Sequence, residues 1–203
     1  YPLRRQRQMC IRDSYSTIQR NAERILQLVN QLMDIRKIDK GQMSLMFKKA
    51  EIVSFTRDLL ETFEQQTRVK KLDLKFHTSA PEIEMWIDPK NFDKIILNLL
   101  SNACKFTPEN GQVEISLSTG EDTHLPQNAP LRRYVELTVA DSGIGIASTE
   151  REHIFERFYQ IRNSQNNSNI GTGIGLHLTR SLVELHYGNI HVEDNGEGRP
   201  GSR

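Results

Sequence analysis

At 203 residues the chain has room for one medium domain and an appendage, and 36 % hydrophobic with 26 % charged residues is ordinary globular composition. A formal net charge of +1 gives no electrostatic case for nucleic acid, a membrane surface or an acidic partner, and no nucleic-acid partner is expected. Two cysteines, Cys10 and Cys104, are too few for a disulfide framework and suggest reduced thiols in a cytoplasmic setting, while no stretch approaches the ~20 apolar residues of a membrane span.

Residues 1–14 crowd Arg4, Arg5, Arg7 and Arg12 together without helical or strand periodicity, and they read as a non-native or linker segment. From Ser16 to about Lys40 the pattern is helical. Ile18, Ala22, Ile25, Val29 and Leu32 recur at spacings of four and three, Leu28 and Ile35 widen the stripe as a bundle helix requires, and Gly41 supplies a stop. A lone helix with so wide an apolar face is unstable in water and wants partners.

Beyond Gly41 the elements alternate. Met43 to Lys49 reads as a strand, and Ile52, Phe55, Leu59, Phe63 and Val69 mark a helix. Leu72, Leu74 and Phe76 alternate as a strand, as do Ile83, Met85 and Ile87. A helix opens at Pro89, where proline suits the first turn. Strands follow through Val113 to Leu117 and Val135 to Val139, with a loop from Glu121 to Arg133 between them. Gly173 to His186 is predicted helical, and Asn189 to Glu193 a final strand. This mixture predicts an α+β fold, with helices packed as a layer on a mixed, mostly antiparallel sheet. The Asn- and Ser-rich run Asn163 to Asn169 cannot bury enough to order itself.

Four segments can carry chemistry. Within Asn98-Leu-Leu-Ser-Asn102-Ala-Cys-Lys105-Phe-Thr, helical spacing puts Asn98 and Asn102 one turn apart with Lys105 near. Amide oxygens are hard ligands suited to Mg²⁺, and a lysine adds a mobile charge for phosphate; alone, the segment reads rather as a solvated helix surface. In Asp141-Ser-Gly143-Ile-Gly145-Ile146, a carboxylate at a strand end can accept from an exocyclic amine while glycines admit a ring, although Asp and Gly also make ordinary turns. Ile154-Phe-Glu-Arg-Phe-Tyr159 is an aromatic patch that also suits packing of a short helix. Gly171-Thr-Gly173-Ile-Gly175-Leu176 enters a helix whose orphan N–H groups form an anion site. Neither a dinucleotide fingerprint nor a GxxxxGK[ST] loop fits.

In order and spacing, the four segments resemble the asparagine, first glycine, phenylalanine and second glycine boxes of sensor histidine kinases, from about Ser16 to Ser202. The helix ending at Gly41 resembles the second helix of their dimerisation hairpin. The resemblance implies the two-layer α/β sandwich shared by gyrase-type ATPases, heat-shock chaperones and these kinases. Residues 15–41 would then be a dimerisation helix and 42–203 the catalytic domain. It further implies that ATP and Mg²⁺ bind here, with Asn102 and Lys105 catalytic. Asn102 would hold the metal, Asn98 support it, and Lys105 touch the phosphates. Asp141 would accept from the adenine amine, with Gly143, Gly145 and Ile146 closing on the base and Phe106 and Tyr159 beside the nucleotide. Gly171, Thr172, Gly173, Gly175 and Leu176 would hinge an ATP lid formed by Asn163 to Asn169.

The implied partners are a phosphoacceptor dimerisation helix, a response regulator receiver domain and a second copy in a homodimer. The implied setting is the cytoplasmic side of a bacterial inner-membrane sensor. The long loop after Glu121 resembles that of hybrid sensors. Three departures stand out. The family's histidine box is absent, and His77, His124, His153, His177, His186 and His191 lie outside any such context. Gln160 occupies a position where the family often has Arg, leaving Arg162 to serve. The chain stops at Arg203, where the family usually continues with a last strand, so the sheet is expected to lack an edge. The alternatives to a histidine kinase are a gyrase- or chaperone-type ATP hydrolase and a non-catalytic nucleotide-binding module. Hydrolases of that type place a glutamate where Asn98 stands, and an amide has no useful basicity.

Overall fold

The computed structural model describes residues 2–124, 132–161, 171–196 and 200–203, in two compact units, Tyr1–Ser44 and Leu45–Arg203. The first is one helix, α1 (Pro2–Asp39). It begins fourteen residues before the expected start at Ser16. Proline is tolerated at the first helical position, and no glycine or proline interrupts the chain again until Gly41. Gly41, at φ +63°, ends it as expected: Gly41 N donates to Ile38 O at 2.8 Å and Gln42 N to Lys37 O at 2.8 Å. Ile18, Ile25, Leu26, Val29, Leu32 and Met33 are exposed along the helix. Among the described residues no helix is long and apolar enough to cross a membrane.

The second unit runs β1 (Lys48–Glu51), α2 (Ile52–Glu61), α3 (Glu64–Lys70), β2 (Asp73–Thr78), β3 (Glu84–Ile87), α4 (Pro89–Phe106), β4 (Gln112–Glu121), β5 (Arg133–Asp141), a 3₁₀ turn (His153–Phe155) and α5 (Gly175–Leu185). The single helix expected from Ile52 to Val69 is two. Thr62 Oγ1 takes Leu59 O at 2.6 Å, which competes with the helical ladder, and Phe63 turns inward to be buried. Strand β1 starts five residues later than expected. It pairs antiparallel with β3, placing Lys48 opposite Ile87. Strand β4 pairs parallel with β2 and antiparallel with β5, in the order β2-β4-β5. The expected strand at Asn189 to Glu193 does not form: backbone pairing is confined to Glu193 with Arg203 and to isolated bridges from Ser202 to Asp141 and Asp194.

Alternation along β4 sends Val113, Ile115 and Leu117 inward, all essentially fully buried. They meet Leu60, Phe63, Leu72, Ile96, Leu100, Ala103 and Cys104 in one cluster and Ile52, Val53, Ile83 and Ile87 in the next. The helices therefore cover one face of the sheet, as expected. Asp88 caps α4, accepting from Lys90 N at 3.0 Å, Asn91 N at 3.3 Å and, from β1's approach, Met46 N at 2.9 Å. Burial pushes the Asp88 carboxyl up, but these donors outweigh it and hold it below its usual range. Asp88 N in turn donates to His186 Nε2 at 3.2 Å, tying the end of α5 to the start of α4.

Glu51 joins three elements. Its carboxylate accepts from Val53 N at 2.9 Å and Ser54 N at 2.6 Å, capping α2, and from Ile83 N at 3.0 Å before β3. Burial raises its pKa, yet the hydrogen bonds from Ile83, Ser54 and Val53 prevail and lower it from 4.5 to about 2. A depressed folded-state value stabilises the protein fully above the unfolded value and less as pH falls through the folded one. Solvent screening at this partly exposed site keeps the cost of Glu51→Ala at neutral pH near that of an ordinary cap, about 1–2 kcal/mol. Urea unfolding of both proteins across pH should show the difference shrinking between 4.5 and about 2.

Candidate functional site

Helical periodicity divides α4 into two faces. Ile96, Leu100, Ala103 and Cys104 enter the core, while Asn98, Asn102 and Lys105 lie on another stripe, partly exposed. Asn98 does not face open solvent. Its Nδ2 donates to the buried Thr179 Oγ1 on α5 at 2.8 Å, and its carboxamide fills the space that a side chain on Gly175 would need. The Asn102 side chain, one turn on, makes no hydrogen bond to another described residue, so its amide oxygen is available as a ligand. Lys105 Nζ lies 4.8 Å from the centroid of the Phe106 ring, and a Cβ on Gly171 would be 3.4 Å from it. Asparagine box and second glycine box thus meet at Asn98–Gly175 and at Lys105–Gly171.

The first glycine box closes on the end of the same helix. A Cβ on Gly143 would fall 2.6 Å from both Asp141 Oδ1 and Phe106 O, so only glycine permits the approach. Asp141 Oδ1 accepts from Gly143 N at 2.8 Å, and Oδ2 accepts from Ser202 Oγ at 2.7 Å. Each carboxylate oxygen has a further lone pair for an amine donor. The C-terminal residues hold Asp141 by its backbone as well. Ser202 O accepts from Asp141 N at 2.8 Å, and Asn195 Nδ2 donates to Asp141 O at 2.6 Å. Arg151 links the box to the same region, its Nε donating to Ile146 O at 3.4 Å and its Nη2 pairing with Asp194 Oδ1 at 2.5 Å.

The aromatic patch supports the second glycine box from below. Gly173 takes φ +68° against the backbone of Phe158 and Tyr159, Phe158 N donates to Gly173 O at 2.8 Å, and Gln160 Nε2 donates to Gly171 O at 3.1 Å. Phe155 is buried, as its packing role requires, but Phe158, at φ +66°, is 60 % exposed. The Tyr159 side chain is committed to its own segment: the hydroxyl donates to Glu150, which holds it in the neutral form and pushes its pKa up, and the ring lies 5.6 Å from that of His153. Its contact with the glycines runs through the backbone. Thr172 Oγ1 accepts from Ile174 N at 3.4 Å, and Leu176 is partly buried in the first turn of α5. Ile174, the N-cap, offers no side-chain acceptor, so its side chain leaves the first amides of α5 uncapped as donors for an anion. Arg162 and Asn163 to Asn169 lie outside the described residues.

Ser202, Asn195, Thr179 and Arg151 lie outside the four sequence segments. Thr179 had a faint signal, lying one turn after Gly175. Ser202 and Asn195 had none, since their partner is Asp141, whose carboxylate is 61 positions from Ser202.

The family model for histidine kinase-, DNA gyrase B- and HSP90-like ATPases matches residues 87–202. The sensor histidine kinase TmoS of Ectopseudomonas mendocina is 38 % identical over 180 residues, 89 % of this chain and 17 % of that protein. The sensor histidine kinase WalK of Bacillus subtilis is 30 % identical over 183 residues, 89 % of this chain and 28 % of that one. The chain thus spans less than a third of the length of either relative. Among solved structures, full-length ShkA in complex with AMPPNP superposes with a TM-score of 0.70 at 26 % identity, over 88 % of this chain and 34 % of that one. The nucleotide-free catalytic domain of histidine kinase ThkA shares the fold, with a TM-score of 0.62 at 24 % identity over 78 % and 93 %.

Thr179→Val keeps the shape of the buried side chain and removes the acceptor for Asn98. Leaving that amide donor unpaired should cost about 1–3 kcal/mol, read as a lower denaturation midpoint with an unchanged slope. An unaltered midpoint would show that the α4–α5 tie does not stabilise the fold.

Proposed function

The chain belongs to the histidine kinase-, DNA gyrase B- and HSP90-like ATPase family, and on that premise we propose that it is the ATP-binding catalytic domain of a sensor protein-histidine kinase. It transfers the γ-phosphoryl group of ATP to a histidine on a dimerisation helix, in two-component signal transduction. The observation that carries this reading over ATP hydrolysis is Asn98. Where hydrolases of the family place a water-activating glutamate, this chain has an amide whose nitrogen is bound to Thr179. Two of its relatives also bear the names of sensor histidine kinases.

In this reading Asp141 accepts from the exocyclic amine of adenine, its carboxylate held by Gly143 N and Ser202 Oγ. Gly143, Gly145 and Ile146 line the approach to the base, and Phe106 lies beside it. Lys105 and the first amides of α5, led in by Gly171, Thr172 and Gly173, bind the phosphates. Asn102 would be the residue to hold Mg²⁺, since its amide oxygen is a hard ligand and its side chain has no hydrogen-bond partner among the described residues. When bound, the ion neutralises charge developing on the phosphates. The γ-phosphorus breaks its bond to the bridging oxygen, ADP leaves, and a bond forms to the acceptor imidazole. That imidazole loses its proton to a base on its own helix. Catalysis by this domain is then positioning and electrostatics. The wider partners are a second copy of the parent kinase and a receiver domain, with the parent anchored in the bacterial inner membrane.

Asp141→Asn should weaken Mg-ADP binding by roughly tenfold to a hundredfold, the loss of one charge-assisted hydrogen bond. Titration calorimetry checks this, and an unchanged affinity would remove Asp141 from the site.

With labelled ATP and Mg²⁺ the chain alone should acquire no acid-labile, base-stable phosphate, and an added dimerisation domain carrying the acceptor histidine should become labelled slowly. Asn102→Ala should abolish that transfer. Release of inorganic phosphate without any labelling of the acceptor would favour the hydrolase instead.

A further inference from the structure

Lys70, the last residue of α3, directs its ammonium group at three backbone carbonyls of one turn: Cys104 O at 2.8 Å, Lys105 O at 3.1 Å and Thr107 O at 3.1 Å. An α-helix leaves its last four carbonyls without intrahelical donors. At the end of α4, Ala103 O is taken by Thr107 N at 3.0 Å and Thr107 Oγ1 at 2.7 Å, and the next two fall to Lys70. The charge sits at the negative end of the helix dipole, where a cation is favoured. The backbone around Lys70 is tied to the same region: Lys70 O accepts from Asn110 N at 3.3 Å, and Lys71 turns the chain at once into the left-handed region at φ +54°.

The turn that Lys70 clamps is the one that carries Lys105 and Phe106. The Phe106 carbonyl is also the group against which Gly143 packs, 2.6 Å from where a Cβ would stand. A fixed end of α4 therefore sets both the phosphate side and the base side of the site. We propose that Lys70 is a positioning residue for nucleotide binding, holding the last turn of α4 so that Lys105, Phe106 and the Gly143 turn keep their mutual geometry. The proposal rests on the nucleotide-binding reading of the site. It assigns a role in that site to a lysine on a different helix, 34 residues from its nearest partner in sequence.

Lys70→Met keeps the aliphatic stem and removes the donors, while Lys70→Arg restores a charged group with several of them. Mg-ADP titrated into the full 203-residue chain should bind Lys70→Met about tenfold more weakly. Amide hydrogen exchange should quicken at residues 105–110 and stay unchanged in β4 and α5, and Lys70→Arg should recover most of the affinity. If Lys70→Met does not fold, Lys70→Gln is read in the same way. Wild-type affinity in Lys70→Met would overturn the proposal. So would weakened binding with uniformly faster exchange and no recovery by arginine, the mark of a purely structural cap. Wild-type protein that bound no Mg-ADP, or an Asp141→Asn variant that bound it normally, would bring down the nucleotide reading and this inference with it, a failure distinct from the other two.

Discussion

Helix α4 has to serve a core and a site with one periodicity, and the rest of the domain is arranged around that requirement. Ile96, Leu100, Ala103 and Cys104 are buried at 5 % exposure or less, so the rod cannot roll or slide without opening close-packed apolar contacts. Asn98, Asn102 and Lys105 inherit that rigidity from the opposite stripe. Both ends of the rod are pinned by groups distant in sequence: Met46 N and His186 meet the Asp88 cap, and Lys70 takes the last carbonyls. A side chain placed on such a helix holds its position more closely than one on a loop.

Around this rod the two glycine segments solve different problems. Gly143 brings backbone against the Phe106 carbonyl, a question of close approach. Gly173 turns through positive φ against Phe158 and Tyr159, a question of redirecting the chain into α5. Asp141 stands between the two uses of β5. It ends the strand that pairs with β4, with Val113 opposite, and its carboxylate is oriented by Gly143 and Ser202. The C-terminal residues therefore do more for the site than for the sheet. Among the described residues they meet β5 through an isolated bridge, yet they hold Asp141 by its N–H, its C=O and one carboxylate oxygen.

In the proposed function, Asn98 is the single amide that separates two chemistries. As a carboxylate it would be a base next to phosphate. As an amide bound to Thr179 it joins α4 to α5 and has no useful basicity of its own. Membership of a family that includes gyrase and chaperone ATPases is compatible with either outcome, so the distinction rests on this residue and not on the fold.

Local chemistry made much of this protein legible from its sequence. The Pro89 start and the alternating strands at Leu72 to Phe76 and Val113 to Leu117 follow from dihedral preferences and side-chain period, which act over a few residues. The Gly41 stop belongs with them. So does the presence of Asn102, Lys105, Asp141 and the glycines in four ordered segments. Where local signals compete or are weak, the structure departs from the sequence pattern. Thr62 and Phe63 split a continuous helical pattern because a hydroxyl took a carbonyl and a ring sought the core, and residues 2–14 joined α1 because nothing there breaks a helix. Tertiary structure alone decided that Asn98 binds Thr179 across 81 residues, that Ser202 orients Asp141 across 61, and that Lys70 clamps α4 across 34. Each is a pairing of common polar residues with no local pattern to announce it. Its partner is chosen by which surfaces the hydrophobic core brings together, and not by spacing along the chain.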